Sequence, residues 1–186
     1  MIGFRADRKT QVIVADDIPA LVTAAQNNPT EFGRLYDRYV QPIYRYIYSR
    51  VGRAHEAEDI TSQTFVAAYE ALGRYRERGQ FSAWLFRIAR SKINDHFRRS
   101  RREVGLEAAG EILEREDALG VLIRAEELSR IPSLISHLNE EEQELIRLRY
   151  VADLSFREIA DLLGRREEAV KKFVYRLLAR LKSQLE

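Results

Sequence analysis

The chain of 186 residues contains no cysteine. That excludes a disulfide framework, a thiolate metal site and a cysteine nucleophile, and it fits a reducing cytoplasm. Histidine is almost as scarce. His55, His96 and His137 are scattered, and no pair has the spacing of metal ligands, so neither a metal nor another cofactor is expected. No apolar run approaches the roughly 18 residues that cross a membrane. The N-terminus lacks the apolar centre of a signal peptide, so a cytoplasmic location is expected. No GxxxxGK[ST] loop is present to cradle a nucleotide, which speaks against an enzyme that hydrolyses one. Strand signals are nearly missing as well, and what remains is helical periodicity.

A hydrophobic fraction of 45% is enough for real cores. The net charge of +2 conceals segregation. Residues 103–127 carry Glu103, Glu107, Glu111, Glu114, Glu116, Asp117, Glu126 and Glu127 against only Arg115 and Arg124. Residues 165–182 carry Arg165, Arg166, Lys171, Lys172, Arg176, Arg180 and Lys182 against Glu167 and Glu168. An acidic, glycine-containing middle between two basic blocks reads as a tether between domains. The expected organisation is all-α: an N-terminal arm (1–16), a helical domain (17–102), an acidic linker (103–127) and a second helical domain (128–186).

Helix boundaries follow from caps and breakers. Asp17 and Pro19 open a short helix that Asn27, Asn28 and Pro29 break. Thr30 is expected to cap the next helix, with Phe32, Leu35, Tyr36 and Tyr39 inward. Pro42 is expected to kink or restart it, and Gly52 to end it. A third helix covers about 55–72 with Ile60, Phe65, Ala68, Tyr69 and Leu72 inward. Ser82 is expected to cap a fourth. In the second domain, Pro132 marks a helix ending near Leu138, and Asn139 caps Glu140, Glu141 and Glu142. Ser155 with Glu158 forms a capping box, and Gly164 ends that helix before a last one over about 167–185.

Two of these helices carry chemistry. Over residues 82–102, Leu85, Ile88, Ala89, Ile93 and Phe97 recur at helical spacing and can be buried. Arg87, Arg90, Ser91, Asn94, Arg98 and Arg101 fall on a neighbouring face at steps of three or four. Guanidiniums grip phosphates in pairs of hydrogen bonds, and amides read base edges. Asp95 is the single acid among Arg87, Arg90, Lys92, Arg98, Arg99, Arg101 and Arg102, whereas a merely solvated face mixes its signs. The second feature spans residues 155–180: a capped helix, a turn at Gly164 and a helix with an exposed basic face, the pattern of a helix-turn-helix. Glu168, Lys171, Lys172, Tyr175, Arg176 and Ala179 point away from its core, behind Arg165 and Arg166 at the turn. An ordinary helical hairpin would carry the same pattern.

Taken together, the motifs resemble those of extracytoplasmic-function (group 4) bacterial sigma factors. Residues 58–65, EDITSQTF, are similar to that family's EDLTQETF segment. Residues 84–99, WLFRIARSKINDHFRR, resemble its WLYRIARNLAIDHLRR helix, and residues 154–164, LSFREIADLLG, its LSYxEIAxxLG helix. The resemblance implies a region-2-like domain, a region-4-like domain and a non-enzymatic role in promoter-specific initiation with core RNA polymerase. By position, Glu58, Asp59, Ser62, Gln63 and Val66 would face the polymerase clamp helices. Tyr75, Arg76, Gln80, Phe81 and Trp84 would form the loop accepting a flipped base of the minus-ten element, with Arg87, Arg90, Ser91, Asn94, Arg98 and Arg101 holding that strand. Arg165, Arg166, Glu168, Lys171, Lys172, Tyr175 and Arg176 would read the minus-thirty-five element. Promoter DNA, the clamp helices of the largest polymerase subunit and the flap of the second largest are the implied partners, with an anti-sigma protein as a further candidate.

The chain departs from that pattern at Ser62, Gln63, Ser91, Ala169 and Phe173, which bears on the polymerase contact and on the promoter sequence read. Two other classes compete. A stand-alone helix-turn-helix regulator would bind duplex DNA as a dimer, and no dimer seam is evident. A nucleic-acid enzyme would need paired carboxylates, for which Asp59 and Asp95 are the only acids near the basic face.

Overall fold

The computed structural model describes residues 18–76, 78–104 and 137–184, the side chains of 102–104 excepted. The arm over 1–16, nearly all of the acidic linker and the helix expected near Pro132 lie outside the described residues. Among those described, every regular element is a helix. The first domain contains α1 (Ile18–Asn27), α2 (Phe32–Val51), α3 (Ala54–Leu72) and α4 (Phe81–Val104). The second contains α5 (Glu140–Ile146), a wide π-helical turn (Arg147–Val151), α6 (Phe156–Leu163) and α7 (Glu167–Ser183).

The entry into α2 differs from the sequence expectation. Asn28, not Thr30, is the capping residue: its side chain accepts from Thr30 N–H and closes a short 3₁₀ turn, Pro29–Glu31, that runs straight into α2. Pro42 does not restart the helix, since α2 continues through it to Val51. A proline removes one N–H and crowds the preceding turn, at a cost of ~3 kcal/mol. The helix holds because Leu35, Tyr39, Ile43, Tyr46 and Ile47 form one buried stripe on either side of it. Gly52 then ends α2 in the left-handed conformation, φ 84°.

In the first domain α2, α3 and α4 pack around Leu35, Ile43, Ile47, Ile60, Phe65, Leu85, Phe86 and Ile93. Phe86 is fully buried and belongs to the inner face of α4, while Ile88 and Phe97 are only partly covered. Ser82 is inside α4 rather than at its cap, because its hydroxyl is drawn inward to hydrogen-bond with the Tyr39 hydroxyl, 2.9 Å away. Tyr36 and Tyr69 are half exposed instead of inward.

The second domain follows its caps. Asn139 accepts from Glu142 N–H while the Glu142 carboxylate returns to Asn139 N–H, and Ser155 and Glu158 repeat the arrangement. Each such cap satisfies donors the first turn leaves open, contributing about 1 kcal/mol. Gly164 is left-handed, φ 66°, and both its N–H and that of Arg165 close on the Ala160 carbonyl. Leu145, Leu148, Ile159, Leu162, Val170 and Val174 of this domain share one continuous apolar core with α2 and α4.

Candidate nucleic-acid interface

Three surfaces carry the residues singled out by the sequence. The first is the loop between α3 and α4. Burial of Phe81 and the packing of Tyr75 and Trp84 make it a small aromatic platform. Ring centroids are 4.6 Å apart for Tyr75 and Trp84, 5.7 Å for Tyr75 and Phe81, and 5.4 Å for Phe81 and Trp84. Phe81 is the floor of this cluster and not a contact surface, a correction to its expected role: it is 2% exposed and packs on Tyr39. Tyr75, Trp84 and Gln80 are partly exposed, and Arg76 is exposed. The sequence reading missed what anchors the loop. Gln26 of α1 donates from one amide nitrogen to the carbonyls of Leu72 (2.9 Å) and Tyr75 (2.6 Å), and the Tyr39–Ser82 bond ties down the other end.

The second surface is the polar face of α4, which the buried stripe of Leu85, Ala89 and Ile93 turns outward. Arg87, Ser91, Asn94, Arg98 and Arg101 are exposed, and Arg90 is partly covered. They lie on one face, as their spacing requires. Arg98 pairs with Asp95 at 3.0 Å, one turn back. Two of the guanidiniums are engaged by the second domain. Arg87 donates to the Asp161 carbonyl at the end of α6, and Arg90 Nε lies 3.4 Å from Glu144 Oε1 on α5. Glu144 also accepts from the Tyr46 hydroxyl (2.7 Å) and pairs with Arg50 (2.9 Å). Burial first, and the Glu144 carboxylate second, raise the pKa of Tyr46 well above its ordinary value. A cavity of about 550 Å³ opens between the domains here, lined by Arg50, Arg90, Asn94, Glu140, Glu144 and Arg165 among others.

The third surface is the hairpin of α6 and α7. Val170, Val174 and Leu177 face inward, which leaves Glu168, Lys171, Lys172, Tyr175 and Arg176 exposed on α7, as their spacing predicts. Arg165 and Arg166 are exposed at the turn, and Arg165 forms an ion pair with Glu141 of α5. Tyr175 packs edge-on against Phe156 (5.8 Å), and Arg149 lies over the same Phe156 ring (5.0 Å). Lys171, Lys172 and Arg176 therefore sit on a helix whose orientation is fixed by a capped partner.

Away from the basic faces, Glu58, Asp59, Ser62, Gln63 and Val66 form an exposed strip along α3. Val66 is 58% exposed and lies near the half-exposed Tyr69 and Tyr36, which pack on Phe32 and Phe65. This acidic and apolar strip is a protein-docking surface by composition, since exposed apolar groups rimmed by polar ones mark such sites. Among the described residues no three histidines, aspartates or glutamates gather where they would hold a metal ion, and no helix is long and apolar enough to cross a membrane.

Comparison with known proteins assigns both domains. Residues 35–103 match the family Sigma-70 region 2, and residues 128–181 match Sigma-70, region 4. The chain is 39% identical over 171 residues to the ECF RNA polymerase sigma factor BldN of Streptomyces coelicolor, which covers 87% of the chain but 63% of that relative. It thus spans less than two thirds of BldN's length. It is 30% identical to the ECF RNA polymerase sigma factor SigW of Bacillus subtilis, covering 83% of the chain and 88% of SigW. Its fold is similar to that of CnrH solved in complex with the cytosolic domain of CnrY. The TM-score is 0.64 at 28% identity, over 92% of this chain and 97% of that one.

Proposed function

Because this chain belongs to the extracytoplasmic-function sigma factors of the sigma-70 family, we propose that it binds core RNA polymerase inside the cell and directs it to promoters. In this reading it is a non-enzymatic specificity subunit. The Glu58–Val66 strip of α3 docks on the clamp helices of the largest subunit. The Tyr75–Trp84 platform takes a base flipped from the non-template strand of the minus-ten element. Flipping costs a few kcal/mol, and stacking on an aromatic ring returns about 1–3 kcal/mol per base. Asn94 contributes base-edge hydrogen bonds, and Arg87, Arg90, Arg98 and Arg101 hold phosphates. In the second domain α7 lies in the major groove of the minus-thirty-five element, with Lys171, Lys172, Tyr175 and Arg176 toward the DNA and Arg165 and Arg166 near its backbone. That domain also faces the flap of the second-largest subunit. An anti-sigma protein is a further proposed partner, by analogy with the CnrH complex.

The observation that carries the proposal is the pairing on α4 of an anchored aromatic platform with an exposed face of guanidiniums and one amide. Such a face suits single-stranded DNA, where stacking and phosphate contacts act together. A stand-alone regulator needs neither the platform nor the α3 strip. The test is run-off transcription with purified bacterial core polymerase on a promoter library. A discrete set of promoter-dependent transcripts is expected. Transcription no different from core polymerase alone would overturn the reading.

A further inference from the structure

In this structure the face of α4 proposed to hold the promoter strand is partly closed by the chain's own second domain. Arg87 is taken up by the Asp161 carbonyl, Arg90 by Glu144, and Asn94 lines the cavity between the domains. We propose that α5 and the end of α6 form a latch that occupies the phosphate sites of α4, so that the free chain holds promoter DNA off until the domains part. The proposal rests on the reading of α4 as the strand-capturing face and adds its regulation.

Three features make this contact a built one. Glu144 has a side chain only 8% exposed and gathers the Tyr46 hydroxyl, Arg50 and Arg90 around a single carboxylate. A buried carboxylate is tolerated only when its lone pairs are satisfied, and these are. Arg147, itself buried, reaches across to the Ser49 carbonyl at 3.3 Å, using an acceptor near the end of α2. Beneath the polar contacts the apolar core is continuous between the domains, with Leu145, Leu148 and Ile159 joined to residues of α2 and α4.

The chemistry explains why the occupant excludes DNA. A carboxylate and a phosphate present the same paired oxygens to a guanidinium, so Arg90 can serve only one at a time. The acids at the interface are Glu140, Glu141 and Glu144, and Glu140 also lies 3.8 Å from Arg50. They form a negative wall beside the very arginines a DNA strand would need. The tether between the domains raises the local concentration of the latch to the order of millimolar, so individually weak contacts suffice to close it. Polymerase, by seating the two domains on separate surfaces, would release it.

The full chain tests this directly. Small-angle scattering and binding to a fluorescein-labelled, mixed-sequence single-stranded DNA are compared for the wild type, Glu144→Ala and Glu144→Gln. Both variants are expected to have a larger radius of gyration and to bind the DNA roughly fivefold or more tightly, because a larger share of molecules is open. Since the chain lacks cysteine, Arg50→Cys combined with Glu140→Cys can be joined by a short, thiol-cleavable cross-linker. The linked protein is expected to bind the DNA poorly and to recover on reduction. Unchanged compactness with unchanged affinity in the Glu144 variants would overturn the latch, as would a linked chain that binds DNA like the unlinked one. Variants that open in scattering yet bind no DNA would instead overturn the strand-capture reading and, with it, the gating role of the contact.

Discussion

Tyr46 shows how one side chain links the interior of the first domain to the acid of the second. It is fully buried, packs edge-on against Phe86 at 5.3 Å, and gives its proton to Glu144. Its pKa is raised by burial and by the carboxylate, so the folded protein holds the neutral phenol more firmly than the unfolded chain does. The corresponding stability is fully present below the unfolded value of about 10 and is lost as pH rises beyond it. Thermal melts should therefore show a decline in Tm above about pH 10, smaller in Tyr46→Phe. An equal decline in the variant would show that other groups set the alkaline limit.

Gln26 is the second instructive residue. Its two hydrogen bonds to the carbonyls of Leu72 and Tyr75 hold the loop that carries the aromatic platform. Gln26→Leu should cost on the order of 1–3 kcal/mol by leaving those carbonyls unpaired. It should also flatten the base preference at the flipped position, read by transcription from promoters altered at that base. A drop in stability with unchanged preference would make Gln26 structural only. Nothing in the sequence marked this glutamine, because it acts across a separation of more than forty residues and no periodicity encodes such a bond. The exposed arginines of α4 were legible for the opposite reason: their spacing on one helix fixes which way they point.

At the scale of elements, local chemistry was read where it is self-contained. The Asn139 and Ser155 capping boxes and the Gly52 and Gly164 stops are written within a few residues and appear where expected. Thr30 and Ser82 were misread as caps because Asn28 competes for one end and Tyr39 draws the other inward. Pro42 was overridden by packing, a tertiary effect that a single-residue rule cannot weigh. Gly164→Ala should cost about 1 kcal/mol and lower Tm by several degrees. The penalty is backbone strain alone, since nothing lies within 4 Å of the added methyl and φ is +66°. Thermal melts check this, and an unchanged Tm would mean the turn tolerates the left-handed alanine. On α7, Lys171→Ala with Arg176→Ala should weaken binding to the upstream duplex and reduce its salt dependence by up to about one unit per lost phosphate contact. An unchanged slope would argue against α7 as the groove-reading helix.

At the scale of the molecule, the two-domain helical organisation followed from charge segregation and helix signals, and the family match to residues 35–103 and 128–181 agrees with it. The packing of the domains against each other did not follow. Glu144 read as part of an acidic first turn, and only the fold brings it to Tyr46, Arg50 and Arg90. Charges on separate domains carry no sequence signal of being partners, since each is explained by its own helix. The same acids that cap and balance α5 thus also meet the basic face of α4.

The central claim is that one face of α4 captures promoter DNA while a different strip, on α3, meets polymerase. The double substitution Asn94→Ala with Arg98→Ala separates the two most directly, because both side chains are exposed and neither enters the core. Promoter-directed transcription and core-polymerase binding are measured on the same preparation. Transcription is expected to be lost with polymerase affinity unchanged. Loss of polymerase binding along with transcription, or retention of both, would contradict the assignment.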